Sequence, residues 1–407
     1  MKTNKLWVAA LAMMIAASTS VGLVSCSDDD EPAPQPEIVT NPLDAEAYYI
    51  TGTVTDGTAA LADVAVSTSG VSATTGADGS YKLQVKSKGA YSVEFKKDGY
   101  IAVTASAQIA SNAKTQSTVS LNQQLSAANK AVTVNPDEDQ EIVEEKNTNI
   151  SLAIPAGAVK EATDIAVTEY IAGETSTDMS SLSTINCTPD GLKFEKPIEF
   201  KIKNQMSGAV QFADVKHYVE QNGTWKEEAP ASYDAESNAY VITMTGFSNH
   251  SAKVNSSMKK GGSATEAGSA TTISNKGNLT GKKQNVSYQS KSGWEAGAIS
   301  GAEGASAADQ AALKAAIESL AASQMGTKAG VNTQTIDLGE ANIDGDCDVT
   351  YTPEILTENR TLSVPVIIGG KRVDVSMSIK VYVGVNVRKE IIYGEHHTDH
   401  SGGAMGR

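Results

Sequence analysis

The sequence predicts a mainly β protein: two β-sandwich domains followed by a small α+β domain, with one helix on an antiparallel sheet. Three observations predict it. Residues 47–122 alternate apolar and polar positions over short segments separated by Asp-Gly turns. Residues 137–252 repeat that habit with Pro- and Gly-marked turns. Residues 286–393 combine one stretch of helical spacing with a long period-two run.

Composition narrows the function. The chain has 407 residues, 33 basic and 48 acidic, for a net charge of −15. Nucleic acid wants clustered Lys and Arg, so it is not an expected partner. After the first 25 residues no apolar run is long enough for a spanning helix. Three Cys and five His leave little material for a disulfide or metal framework.

Residues 1–25 read as an address. Lys2 and Lys5 precede an apolar stretch from Leu6 to Ala17, too short to cross a bilayer. Leu23-Val24-Ser25-Cys26 then resembles the lipobox of bacterial lipoproteins. The resemblance implies cleavage before Cys26 and lipidation of its thiol, a multi-chain anchor that holds firmly to a membrane. Ser27-Asp28-Asp29-Asp30-Glu31 is similar to the acidic export signal of some Gram-negative lipoproteins. That resemblance implies the outer face of the outer membrane; the alternative is a solvated acidic tether with no sorting role. Residues 26–46 also carry Pro32, Pro34, Pro36 and Pro42, so they form a semi-extended tether.

In residues 47–122, Ile50/Gly52/Val54, Val64/Val66, Tyr81/Leu83/Val85, Tyr91/Val93/Phe95 and Val119/Leu121 keep period two. Asp56-Gly57, Asp78-Gly79 and Asp98-Gly99 are the turns between them. The order Gly52-Thr53-Val54-Thr55-Asp56, Leu61-Ala62-Asp63-Val64, Thr74-Thr75-Gly76-Ala77-Asp78-Gly79-Ser80-Tyr81 and Lys97-Asp98-Gly99-Tyr100 resembles a carboxypeptidase-regulatory-like domain. The resemblance implies a transthyretin-like sandwich that is non-catalytic and sits near a surface anchor.

In residues 137–252, Ile150/Leu152/Ile154 runs into Pro155-Ala156-Gly157-Ala158. Thr188-Pro189-Asp190-Gly191-Leu192-Lys193-Phe194 leads into Ile198/Phe200/Ile202, and Gly246-Phe247-Ser248-Asn249-His250 follows. This order is similar to the ZU-five domain of ankyrin and netrin-receptor scaffolds. The resemblance implies protein–protein contacts and brings no catalytic residues.

Residues 253–285 are Gly, Ser, Thr, Asn and Lys with few apolar positions, the composition of a flexible linker. In residues 286–393, Ser306 with Asp309 starts a helix of about 18 residues with Leu313, Ala316, Ile317 and Leu320 on one stripe. Gly326 stands where that helix should stop. Val373, Val375, Met377, Ile379, Val381, Val383, Val385 and Val387 form the apolar face of a sheet whose other face is wet.

The candidate sites are few. Asp344, Asp346 and Asp348 would share one strand face and suit calcium, but the later ligands of a calcium loop are missing, so a solvated turn is the plainer reading. His396, His397 and His400, in the tail 394–407, are candidate weak metal ligands. His217 and His250 read as separate surface or structural histidines, and Cys187 and Cys347 as buried thiols. Trp294, between Gly293 and Gly297, is the candidate exposed ligand contact. No nucleophile elbow, phosphate loop or dinucleotide fingerprint occurs, so the chain is expected to be neither an enzyme nor a cofactor carrier. The expectation is a lipid-anchored, surface-exposed binding or scaffolding protein, held to the membrane through Cys26, with a protein or glycan partner. The alternatives are a glycan-binding accessory of an uptake system, or a hydrolase whose paired carboxylates lie in residues 286–393.

Overall fold

A computed structural model describes residues 37–40, 47–111, 113, 117–173, 178–221, 223–275, 283–328, 330–340 and 347–393. The fold is mainly β, with a single helix, Ala307–Met325, among the described residues.

The first sandwich is built from the alternation its sequence announces. Ser80–Val85 and Val103–Ile109 bury every second residue. One layer pairs Tyr48–Thr55 antiparallel with Ser80–Val85 and parallel with Thr118–Ser120. The other runs in the order Val71–Thr74, Ala65–Thr68, Gly89–Lys96, Val103–Ile109. Ile50, Val54, Val66, Leu83, Val93 and Phe95 fill the space between the layers. Tyr81 meets the Phe95 ring edge-on at 5.6 Å and its hydroxyl donates to the Leu121 carbonyl, so this aromatic is apolar and satisfied at once.

The second sandwich has six strands in one layer, in the order Val132–Val134, Thr163–Glu169, Met179–Thr188, Asn249–Asn255, Lys216–Gln221, Thr224–Pro230. Its other layer is Gln140–Val143, Ile150–Ile154, Lys193–Lys203, Ala239–Gly246, Ser232–Asp234.

The C-terminal region is a long hairpin, Cys347–Ile368 and Lys371–Tyr393, turned at Gly369-Gly370. Both glycines take positive φ, which the two central residues of a tight hairpin turn require. Along one edge lie Ser257–Ala267 and Thr271–Asn275, paired with Cys347–Ile368. These strands fall inside the stretch expected to be a flexible linker. A segment with few apolar side chains becomes a strand here because its backbone is paired along a partner, and its Lys, Gly and Ser residues stay exposed at the sheet edge. Along the other edge, Gly293 to Ser300 pairs with Lys371–Tyr393.

The helix begins and ends as expected. The Ser306 hydroxyl oxygen accepts from the Asp309 amide, and Asp309 is itself anchored by the amide and hydroxyl of Ser207. Leu313, Ile317 and Leu320 are fully buried. The core they pack into is shared with the second sandwich. Leu362, Val364, Val366, Val375, Met377 and Ile379 of the hairpin share one continuous core with Ile165, Phe200 and Val254 of the second sandwich, and the helix packs into it. The hairpin also reaches the other sandwich, where Val385 lies against Thr118 in the sheet. Gly384 makes this contact feasible, since a Cβ there would stand 2.5 Å from the Thr118 carbonyl oxygen.

Candidate functional site

The two sandwiches and the helix leave a cleft of about 550 Å³ where they meet. Asp56, Thr58 and Gln124 come from the first sandwich, Glu144, Asn147, Glu169 and Ser183 from the second, and Ser319 and Ser323 from the helix. The lining is mostly hydroxyl, amide and carboxylate, with Lys146 as its cation.

Glu144 is the fixed point of this cleft. It is only 1% exposed, yet its carboxylate is well supplied with donors. The amides of Lys146 and Asn147 donate to one oxygen at 2.7 and 2.5 Å, and Asn129 Nδ2 donates to the other at 2.5 Å. Such a carboxylate is a structural anchor for the 144–147 turn, not a free base. The turn aims Asn147 Nδ2 at Glu169, 2.8 Å away, and Ser183 Oγ donates to the other Glu169 oxygen at 2.8 Å. Burial raises the Glu169 carboxyl above the usual carboxylate range; the two donors pull it back, and the negative Glu144 pushes it up again.

The helix wall of the cleft is held by polar contacts. Gln324 Nε2 donates to the Met179 carbonyl and to the hydroxyl oxygens of Ser180 and Ser256. Ser323 Oγ accepts from the Ser181 amide. Ser181 and Thr184 in turn meet the Ser251 hydroxyl at 3.2 and 2.9 Å. This network fixes the register of helix on strand, and so the width of the cleft.

Trp294 does not make the exposed contact expected of it. It is fully buried in the shared core, and its indole N–H donates to the Gly326 carbonyl at 2.9 Å. The flanking glycines serve packing: a Cβ on Gly293 would meet the Thr327 carbonyl oxygen at 2.8 Å. Trp225 is partly buried against the first sandwich, with Lys253 Nζ 4.8 Å over its ring.

His217 and His250, far apart in sequence, are brought together. Their rings stack at 5.2 Å, with His217 Nε2 3.0 Å from His250 Nδ1. Cys187 and Cys347 are buried thiols, as expected. Asp348 is exposed on its strand, while Asp344 and Asp346 lie outside the described residues. Cys26, Ser27, Asp28, Asp29, Asp30 and Glu31 lie outside them too, as do His396, His397 and His400. Among the described residues no helix is long and apolar enough to cross a membrane, and no group of three or more His, Cys, Asp or Glu side chains could hold a metal ion.

Reasoning from sequence missed the Glu144–Glu169 cleft. Its residues sit at 144, 146, 147, 169 and 183, and no short motif joins positions that only the sandwich fold brings together.

No family model matches the chain, and no curated protein matches it. Among solved structures it is similar to a candidate membrane-associated protein of unknown function from Bacteroides fragilis. The identity is 15%, the likeness covers 86% of this chain and 100% of that one, and the TM-score is 0.36. It is also similar to a protein from Bacteroides vulgatus named as a candidate pore-forming toxin, at 8% identity over 87% of this chain and 95% of that one, with a TM-score of 0.28.

Proposed function

We propose that this chain is a lipid-anchored outer-membrane protein facing the cell exterior. It works as a non-enzymatic binding or scaffolding protein and takes a polar, hydroxyl-bearing ligand, such as a short glycan, in the cleft between its sandwiches. The observation that carries the binding reading is the cleft itself. Its polar groups are held by hydrogen bonds before any ligand arrives, and such preorganisation lowers the cost of binding. The support for the anchor is Leu23-Val24-Ser25-Cys26 and the acidic residues after it. A catalytic role has less to stand on, because Glu144, the carboxylate nearest Glu169, is committed to its turn.

Two measurements test the proposal. Protease added to intact cells should remove the full-length protein while a periplasmic control survives, and Cys26→Ser should release the chain from the membrane fraction. Full protection, or membrane retention of Cys26→Ser, would sink the anchored, outward-facing reading. The purified chain on a glycan array should retain short oligosaccharides, and Asn147→Ala with Ser183→Ala should abolish that retention. A blank array, or retention that ignores both substitutions, would remove the cleft as the binding site.

A further inference from the structure

The second sandwich has an open margin that shares no lining residue with the cleft. Its two layers end there in consecutive strands, Val132–Val134 in one and Gln140–Val143 in the other. Gln140 Nε2 donates to the Thr133 carbonyl, Asn129 Nδ2 to Glu144 and Lys146 Nζ to the Ala127 carbonyl, so the two stretches run antiparallel past each other. Each strand carries an exposed valine: Val132 is 47% exposed and Val143 45%. Among the described residues the one other large apolar side chain so exposed is Ile392.

The backbone of Gln140–Val143 is open on its outer side. Gln140 pairs with Ile154 and Ile142 with Leu152, and one step on the Glu144 amide donates to the Ile150 carbonyl at 2.9 Å. Bonded positions alternate in an antiparallel ladder, so residues 140, 142 and 144 spend their N–H and C=O on that neighbour while Glu141 and Val143 turn theirs outward. Among the described residues these outward groups meet no other backbone group. Proteins guard such edges with charge, proline or brevity. The opposite edge of this sandwich, Thr224–Pro230, is guarded by both signs, Lys226 beside Glu227 and Glu228, with Pro230 at its end. Here the guard has one sign: residues 135–145 hold six carboxylates and no Lys or Arg.

A groove of about 490 Å³ starts at this strand and runs across Ile150–Ile154 to Lys193–Lys203. Ala153, Pro155 and Pro197 give it apolar surface, and Asp139, Glu141 and Glu199 give it carboxylates. Its cation, Lys201, is paired to Glu199 at 2.9 Å. Ser151 Oγ donates to Glu141 Oε1 at 2.7 Å and holds that carboxylate beside the open backbone. Ile142 points into the core, so Glu141 and Val143 share the outer face. We propose that Gln140–Val143 is the docking edge for an extended basic segment of a protein partner. The segment adds to the layer as a further strand, with Lys or Arg beside Glu141 and a β-branched or aromatic residue beside Val143. A second copy of this chain is the wrong occupant: its net charge is −15, and its matching edge brings the same carboxylates.

The probe is a fluorophore-labelled synthetic peptide, Lys-Thr-Val-Thr-Lys-Thr-Val, whose alternate residues carry the basic and apolar pattern on one face. Fluorescence anisotropy against the full chain should show saturable binding that weakens as salt rises. The same peptide with glutamate in place of both lysines should bind at least about tenfold more weakly. Glu141→Lys should lose about as much. So should Val143→Pro, which removes an outward N–H at a place where an edge strand tolerates proline. Circular dichroism should show both variants folded, and Asn147→Ala, in the cleft, should leave peptide binding unchanged. No binding, equal binding of the glutamate peptide, or binding that ignores both Glu141→Lys and Val143→Pro would overturn the proposal. Loss of binding with Asn147→Ala would overturn it as well, by placing the peptide in the cleft.

Discussion

The two sandwiches solve the same problem differently. The first closes its core almost within residues 48–125, borrowing Tyr170 and Ala172 from its neighbour, with Trp225 packed against it. The second does not close by itself. Its core runs from Val134 through Phe200 to Trp294, Leu320 and Met377, so the helix and the C-terminal hairpin complete it. An alternating pattern specifies that a face must be buried, but it does not say which segment covers it. The contrast separates a module that is self-sufficient from one whose stability depends on residues more than a hundred positions away.

Trp294 gives the sharpest way to break that contrast. Trp294→Ala removes the largest buried side chain of the shared core and leaves the Gly326 carbonyl without its donor, an expected loss of about 3–5 kcal/mol. Amide exchange should accelerate in Met179–Thr188 and spare Ser80–Val85. Phe95→Ala should cost a similar amount with the opposite pattern. If either variant speeds exchange equally in both strands, the molecule unfolds as one unit and the contrast fails.

Leu320→Ala sharpens the same point at about 2–4 kcal/mol. Leu320 sits on the helix, but its loss should be read in the second sandwich, as a lower urea midpoint for strands 179–188 and 249–255. A helix that frays alone, with those strands still protected, would show a separate α+β core after all.

How much of this was legible in the sequence follows from the range of each interaction. Ser306, Asp309, Leu313, Ile317 and Gly326 lie within one helix, and its spacing and capping residues announced it. The Asp-Gly turns and the alternation at Tyr81, Leu83 and Val85 announced the first sandwich for the same reason. Residues 257–275 misled, because composition reports solvent exposure while strand formation there depends on pairing with 347–363. Trp294 misled in the opposite direction. It was the candidate exposed contact, whereas its flanking glycines let backbone pack closely beside a buried indole. The Glu144–Glu169 cleft and the stacked His217–His250 pair were invisible, since both join side chains far apart in sequence.

Gln324→Ala probes the polar seam between helix and sandwich. It leaves the Met179 carbonyl and two buried serine hydroxyls short of a donor, for an expected loss of about 1–3 kcal/mol. Gln324→Met, which keeps volume, should cost nearly as much if hydrogen bonding sets the helix register. Full recovery with Met would reduce the seam to packing.

The smallest effect lies in the cleft, where pH is the probe. Glu169 binds its proton more tightly in the folded chain than in the unfolded one, because burial and Glu144 both disfavour its charge. The folded state therefore takes up a proton as pH falls toward the ordinary carboxylate range. The stability from that proton is complete below the unfolded value of about 4.3 and is lost as pH rises through the folded value. Glu169→Gln keeps an acceptor for Asn147 and Ser183 but carries no charge. Its stability should match the natural chain at pH 4 and exceed it at pH 7. Urea midpoints for the two chains at both pH values would read this out. A gap that closes toward neutral pH would mean that Asn147 and Ser183 outweigh burial, and that Glu169 meets a ligand in the cleft as a fully ionised carboxylate.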